Sequence, residues 1–309
     1  MTPADFDHVP VLKSAIVELS TELPAGIFGD LTLGGAGHAA AILDANPALE
    51  LHGFDRDPQA IDVSQQRLQR FGPRAVVHRA RFDEAPRALR SQVGETGAKV
   101  AGFLMDLGVS SPQLDQANRG FSFRQDGPLD MRMDNSAGIT AADVVNTYSE
   151  SELRDVLFSY GDERHAKRIV TSIVSHRPIT TTAALATVVE NAVPAAARRK
   201  STTHVATRTF QALRIEVNDE LSILGDTVSE MLDLLAPGGV AMVLTYHSGE
   251  DKIVKDRMRR AVTGDAPAGL PVTSPFEWAV RGAKSATEEE IAENPRARSA
   301  RMRAVRRVH

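Results

Sequence analysis

Between Asp106 and Asp134 the chain reads DLGVSSPQLDQANRGFSFRQDGPLDMRMD: a carboxylate, two serines, a proline and a glutamine, then three arginines among phenylalanines and methionines. A stretch this long without a packing period is functional or disordered, and its aromatic and methionine content speaks against disorder. Its first residues would suit methyl transfer to an exocyclic amine of a nucleic-acid base. Such a nitrogen is a poor nucleophile, because its lone pair is delocalised into the ring. Hydrogen-bond acceptors aimed at its protons localise that pair, while a fixed approach aligns it with the methyl of a sulfonium. Ser111, Ser110 and a backbone carbonyl are the candidate acceptors, and Asp106 is either an acceptor or a cofactor contact. The bland alternative is an Asx or Ser turn that ends a strand.

A second constellation is the glycine loop Gly34-Gly35-Ala36-Gly37 with His38 after it. Glycines let a ligand approach the backbone, and the start of the following helix favours anionic or polar groups. Asp55, about 20 residues on, stands where a carboxylate accepts from ribose hydroxyls. Together they indicate a nucleotide-like ligand, without separating a nicotinamide cofactor from S-adenosylmethionine. A third is Thr245-Tyr246-His247-Ser248-Gly249-Glu250-Asp251-Lys252. A metal reading of His247, Glu250 and Asp251 lacks a second ligand cluster; a helix cap by Ser248 with Asp251 as its reciprocal partner is the stronger one. His8, His165, His176 and His204 show no triad logic.

These residues need elements to hold them. Ile27–Leu33, Leu49–Phe54, Ala75–His78, Val100–Met105 and Val240–Tyr246 are apolar runs that read as buried strands, alternating with helices from His38, from Asp57-Pro58 and over Gly249–Ala261. Such alternation predicts an α/β fold with an open parallel sheet, whose ligand sits beyond the carboxyl ends of the strands. Between Gly108 and about Ala236 the pattern is helical only, over Thr140–Val145, Ser149–Phe158, Glu163–Ile173 and Thr182–Asn191. The stripe Phe210, Leu213, Val217, Leu221, Leu224, Val228, Leu232, Leu235 predicts one amphipathic helix of about 25 residues, stopped by Pro237-Gly238-Gly239. The sum is a sheet domain with an all-helical domain inserted into it.

The chain has 309 residues, 42% hydrophobic and 25% charged, with a formal net charge of −4. It is not a basic nucleic-acid binder as a whole. Local patches remain: Arg198-Arg199-Lys200 with Arg208 and Arg214 beside Asn218, which would grip phosphate or be solvated, and the arginines from Arg296 to Arg307, which read equally as a phosphate-binding patch or a solvated tail. Cysteine is absent, which excludes disulfides and thiolate metal sites. MTPADFDHVPVLKSAIVEL lacks the layout of a signal peptide, and no apolar run approaches a bilayer span of about 20 residues. The cytoplasm is the expected location, with no membrane partner.

The motifs HVPVL (His8–Leu12), GFDRDPQAI (Gly53–Ile61), DLGVSSPQLD (Asp106–Asp115), RGFSF (Arg119–Phe123), GPLDMRMD (Gly127–Asp134), YGDERHAKRI (Tyr160–Ile169), ATRTFQALRIEVNDEL (Ala206–Leu221), HSGEDKIVK (His247–Lys255) and NPRARSARMR (Asn294–Arg303) follow in order. In these the chain resembles, along its whole length, the bacterial 16S ribosomal RNA cytosine-N4 methyltransferase family. The resemblance implies a Rossmann-like S-adenosylmethionine-dependent methyltransferase sheet over 1–112 and 215–309. It implies a helical insertion for RNA recognition over 113–214, S-adenosyl-L-methionine as cofactor, and transfer to the N4 of cytosine 1402, in the decoding region of 16S rRNA within the small ribosomal subunit. Carried over by motif, the cofactor contacts are Ala36, Gly37, His38, Asp55, Phe82, Asp106 and Gln113; no metal is implied. The segment from Arg119 to Asp134 becomes a hinge or an RNA contact. TYHSGEDK stands where the family commonly has SFHSLEDR, and LGGAGH where it commonly has Gly-Gly-His. A homodimer is compatible with all of this. A nicotinamide-dependent oxidoreductase and a non-catalytic ribosome-assembly RNA-binding factor are the alternatives.

Overall fold

The computed structural model describes residues 9–264 and 274–309, so His8 of the first motif lies outside the described residues. The chain divides into two compact units, one of Met1–Gly108 with Leu221–His309 and one of Val109–Glu220.

The first unit begins with α1 (Lys13–Thr21), β1 (Gly26–Asp30), α2 (Gly37–Ala45), β2 (Leu49–Asp55), α3 (Pro58–Leu68), β3 (Ala75–Arg79), α4 (Ala85–Thr96) and β4 (Val100–Asp106). β1, β2 and β4 are largely apolar runs because both faces of the sheet are covered there; β3, at the sheet edge, has no buried residue, so the strand expected over Ala75–His78 forms but is not buried. Successive residues point to opposite faces: Phe28, Leu51 and Leu104 pack with Ile16, Ile42 and Leu43, whereas Ile27, Phe103 and Met105 pack with Leu89, Val228 and Met258. Asp57 starts α3 by accepting from the Gln59 N–H at 3.0 Å, with Pro58 in the first turn, where a missing N–H costs nothing.

The second unit holds α5 (Ser111–Asp115), α6 (Ala141–Thr147), α7 (Glu150–Gly161), α8 (Ala166–Ser175), α9 (Thr182–Ala192), α10 (Ala195–Lys200) and α11 (Thr207–Asn218). Thr140 with Asp143 and Ser149 with Glu152 form capping boxes at α6 and α7, which is why these helices start where the sequence places them. Its boundaries differ from 112 and 214. Val109 and Leu114 already pack on the helical core, and the Glu220 carboxylate accepts from Arg214 at 2.8 and 3.0 Å, holding the end of α11 to the same unit.

The chain returns to the first unit with α12 (Leu224–Leu234), β5 (Leu235–Thr245), α13 (Ser248–Thr263), β6 (Phe276–Trp278), β7 (Lys284–Ser285), α14 (Glu288–Glu293) and β8 (Arg301–Arg307). The expected single long helix is therefore two. Asp219 takes a left-handed conformation (φ 52°) and ends α11, and the apolar stripe resumes on α12. Pro237-Gly238-Gly239 does not follow the helix as a loop. It lies inside β5, where the pairing slips from Val100 with Leu235 to Gly102 with Val240 and Gly238 takes φ 84°.

The strand order is β3-β2-β1-β4-β5-β8-β6, with β7 beside β8. The first five strands are parallel; β8 runs antiparallel to both β5 and β6. This is a Rossmann-like doubly wound sheet. The arginines from Arg296 to Arg307 are thus neither one basic patch nor a solvated tail. Arg303 is buried and donates to both oxygens of Asp251 at 2.7 and 3.0 Å, Arg306 pairs with Glu22, and Arg307 donates to the carbonyls of Asp233 and Leu235. Among the described residues no helix is long and apolar enough to cross a membrane.

Candidate functional site

β1, β2 and β4 each end on an aspartate: Asp30, Asp55 and Asp106. Parallel strands bring those ends to one edge of the sheet, and the glycine loop closes over them. Leu33 N–H donates to Phe54 O at 2.9 Å and Ala36 N–H to Leu33 O at 2.8 Å. Asp55 accepts from the N–H groups of Gly34 (2.8 Å) and Asp57 (2.9 Å), so one carboxylate joins the loop to the end of β2. Ala36 is fully buried with φ 59°, ψ 28°, a conformation that an L-residue other than glycine adopts at a cost.

Asp106 is held from three sides. Its N–H donates to Thr32 Oγ1 at 2.6 Å, its Oδ1 accepts from the Tyr246 hydroxyl at 2.6 Å, and its Oδ2 lies 3.5 Å from His38 Nε2. His38 is buried, and neither ring nitrogen has a hydrogen-bond partner among the described residues. Buried polar atoms left in that state call for an explanation. Burial pushes the Asp30 carboxyl up to about 7, opposed by His38 and the Thr32 N–H and reinforced by Asp106 and Asp55. Burial likewise raises Asp55 to about 6, against its backbone donors, and holds the Tyr246 phenol well above its ordinary range, with Asp106 adding to the shift.

Three crowded carboxylates and an unsatisfied imidazole match a ligand that carries positive charge and hydroxyls. S-adenosyl-L-methionine has a sulfonium, an ammonium and a ribose diol, and the residues present fit it. Gly34 leaves room for a close approach, since a Cβ built there would meet nothing nearer than Thr32 O at 4.0 Å. The remaining expected contacts are placed as follows. Ala36, Gly37, His38, Asp55 and Asp106 share this edge of the sheet. Phe82 opens a 3-10 turn after β3 and packs on the apolar face beneath it. Ser110, Ser111 and Gln113 belong to the helical unit, where the Gln113 side chain accepts from the Ser110 N–H at 3.0 Å and caps α5. The Ser111 hydroxyl makes no hydrogen bond among the described residues.

Two participants escaped the sequence reading. Asp30 sat inside an expected strand, although the rule that singled out Asp55 and Asp106, an acid that ends an apolar run before a turn, finds it too. Tyr246 stood in the third constellation without a role of its own, because Asp106, its partner, is distant in sequence. The cap of α13 is also one residue earlier than expected. His247 Nδ1 accepts from the Gly249 N–H at 3.2 Å, and Glu250, not Asp251, is the reciprocal partner, accepting from the N–H groups of Tyr246 and His247. Asp251 is taken by Arg303. Gly249 is explained by its neighbours, because a Cβ there would meet the His247 ring at 3.1 Å and Leu221 at 3.3 Å.

Arg119 and Arg132 are corrected as well. Arg119 is buried and donates to the carbonyls of Arg132 and Met133. Arg132 forms a two-bonded pair with Asp130 at 2.9 and 2.7 Å. Phe121, Leu129 and Met131 of the same segment lie in the core of the helical unit. Arg119 and Arg132 are thus held by partners within the helical unit, while Arg124 of the same segment is exposed.

A Rossmann-like sheet whose strand ends form this acidic, partly unsatisfied edge is built for a nucleotide-like cofactor that carries positive charge, and S-adenosyl-L-methionine is one. The model of the MraW methylase family matches residues 5–308. A relative from Clavibacter michiganensis subsp. michiganensis, named Ribosomal RNA small subunit methyltransferase H, is 48% identical over 316 residues, covering 98% of each chain. One of the same name from Mycobacterium bovis is 47% identical over 322 residues, covering 99% of this chain and 81% of its own. The crystal structure of an rRNA methylase from Streptococcus thermophilus is 11% identical, with a TM-score of 0.39 over 96% of this chain and 95% of its own. The chain belongs to the MraW methylase family. That membership sets the nicotinamide reading aside.

Proposed function

We propose that the protein methylates the exocyclic N4 of a cytosine in the decoding region of 16S rRNA, in the cytoplasm and on the small ribosomal subunit. The observation that carries this is the full-length similarity to relatives named for small-subunit ribosomal RNA methylation. The acidic strand ends support it. Bound, S-adenosyl-L-methionine supplies an electrophilic methyl on a positively charged sulfur.

The chain's own residues divide the remaining work. Asp55, already fixed by Gly34 and Asp57, accepts from the ribose hydroxyls. The backbone of Ala36 and Gly37 allows close approach, and Phe82 contributes apolar surface. Asp30 and Asp106 face positive charge, His38 finds a partner for its ring nitrogens, and Gln113 braces the turn that carries the serines. The hydroxyls of Ser110 and Ser111 accept from the cytosine amine. Its lone pair is thereby localised for attack, a contribution that grows toward the transition state. The helical unit recognises the RNA.

The test is incubation with the methyl-labelled cofactor and small subunits that lack the modification, followed by nucleoside mapping. Label on N4 of a single decoding-region cytosine is the expected result. Label on another atom or nucleotide, or none in RNA despite cofactor binding, would overturn it.

A further inference from the structure

In the helical unit two segments far apart in sequence meet through their rings. The Phe123 ring lies 4.5 Å from that of His204 and 4.9 Å, edge-on, from that of Phe210. Phe210 is in the core and His204 is exposed, so Phe123 anchors an aromatic pair that reaches the surface. Arg124 follows Phe123, exposed. Arg198, Arg199 and Lys200 end α10, all exposed. None of these four cations has a carboxylate or a side-chain hydrogen bond among the described residues, and 193–206 contains no acid at all. In a chain of net charge −4 this is a local excess.

Stabilising the helix end accounts for little of it. A cation at a C-terminus contributes about 0.3–1 kcal/mol within the last turn, and three adjacent cations repel one another. Consecutive helical residues also fan out by about 100°, so no single carboxylate would satisfy all three. A row of phosphates would. Lys200 lies within about 14 Å of His204 along the chain, close enough for one short stretch of nucleotides to meet both. Among the described residues the large exposed apolar side chains are Val9, Val76, Ile139 and Phe158, none of them in this strip, which therefore offers no apolar face to a membrane surface. An exposed ring packed on a second ring beside free cations is what unpaired bases and their backbone recognise.

We infer that Phe123, Arg124, Arg198, Arg199, Lys200 and His204 form a strip that binds single-stranded RNA, with the cations on phosphates and His204 under a base. The inference rests on the RNA reading above and names the surface that serves it. Its test is binding to protein-free 16S rRNA across a salt series. Replacing Arg124, Arg198, Arg199 and Lys200 by Gln together should lower the slope of log affinity against log salt by up to about 3, at about 0.7 per phosphate released. Arg199→Gln alone should lower it by about 0.7. Cofactor affinity should stay unchanged, which checks folding. His204→Ala should weaken binding at least about fivefold, and His204→Phe should restore it. Equal slopes in the wild type and the single and fourfold variants would overturn the strip alone. A wild type that binds cofactor but no RNA would overturn the RNA reading with it.

Discussion

The Tyr246 hydroxyl donates to Asp106 Oδ1 at 2.6 Å, tying the end of β5 to the end of β4 across two neighbouring parallel strands. The bond places a neutral donor on a carboxylate that also lies 3.5 Å from His38 Nε2. Tyr246→Phe should reduce stability by about 1.5–3 kcal/mol, the range for a hydrogen bond to a charged group, measured by urea unfolding. An unchanged midpoint would mean that the bond contributes nothing net.

Asp30 should make cofactor binding pH-dependent. Its carboxyl titrates near 7 when folded, above the usual 3.8, so the native state holds the extra proton between those values. Without cofactor, the contribution of Asp30 to stability should therefore fall as pH rises from about 4 to 7 and then level, against the opposite contribution of His52, whose imidazole burial lowers to about 4. A cationic ligand prefers the ionised form, so affinity should rise by up to about tenfold per pH unit below 7 and flatten above it. Calorimetry from pH 5.5 to 8 checks this. Asp30→Asn should remove most of the slope, leaving the part that Asp55 contributes below about 6.

Asp55 and Ser111 should separate binding from chemistry. Asp55→Asn should weaken cofactor binding by about 1.5–3 kcal/mol, the value of a charge-assisted pair, read by calorimetry. Ser111→Ala should leave that affinity intact and lower kcat, the signature of an interaction made in the transition state. Full turnover in Ser111→Ala would remove its hydroxyl from the acceptor role.

Asn218 secures the long loop. It is buried; its Oδ1 accepts from the Met133 N–H at 2.8 Å, and its Nδ2 donates to Met131 O at 2.7 Å and Arg214 O at 2.9 Å. Met131 takes φ 63°, strained for that side chain. Asn218→Ala leaves buried backbone groups unpaired, at about 1–3 kcal/mol each, and should expose the segment from Arg119 to Asp134 to proteolysis before the sheet unit unfolds. Simultaneous cleavage of both units would contradict that placement.

How much of this was legible depended on how local its cause was. Strands β1 to β4, the caps at Thr140 and Ser149, and the helices that follow them could be read because pattern and capping act within a few residues. Asp55 and Asp106 could be read because parallel strands carry their ends to one edge. The split at Asp219 could not, because the apolar stripe continues in phase on either side and only the left-handed residue divides it. The roles of Arg119 and Arg303 could not either. A buried arginine and an exposed one look the same until the carbonyls or the carboxylate they meet, distant in sequence, are in place.

The position of β8 has a consequence for the order in which the sheet can be assembled. Among the described residues β6 and β7 pair with the sheet only through β8, and β8 follows β5, its other neighbour, only after more than fifty intervening residues. Until β8 arrives, the edge of β5 is open and β6 and β7 have no strand to pair with. Closing that long a loop is slow relative to local pairing, so the parallel half should gain hydrogen-exchange protection first. β6, β7 and β8 should then follow together as one late step, with Arg303 meeting Asp251 in the same event.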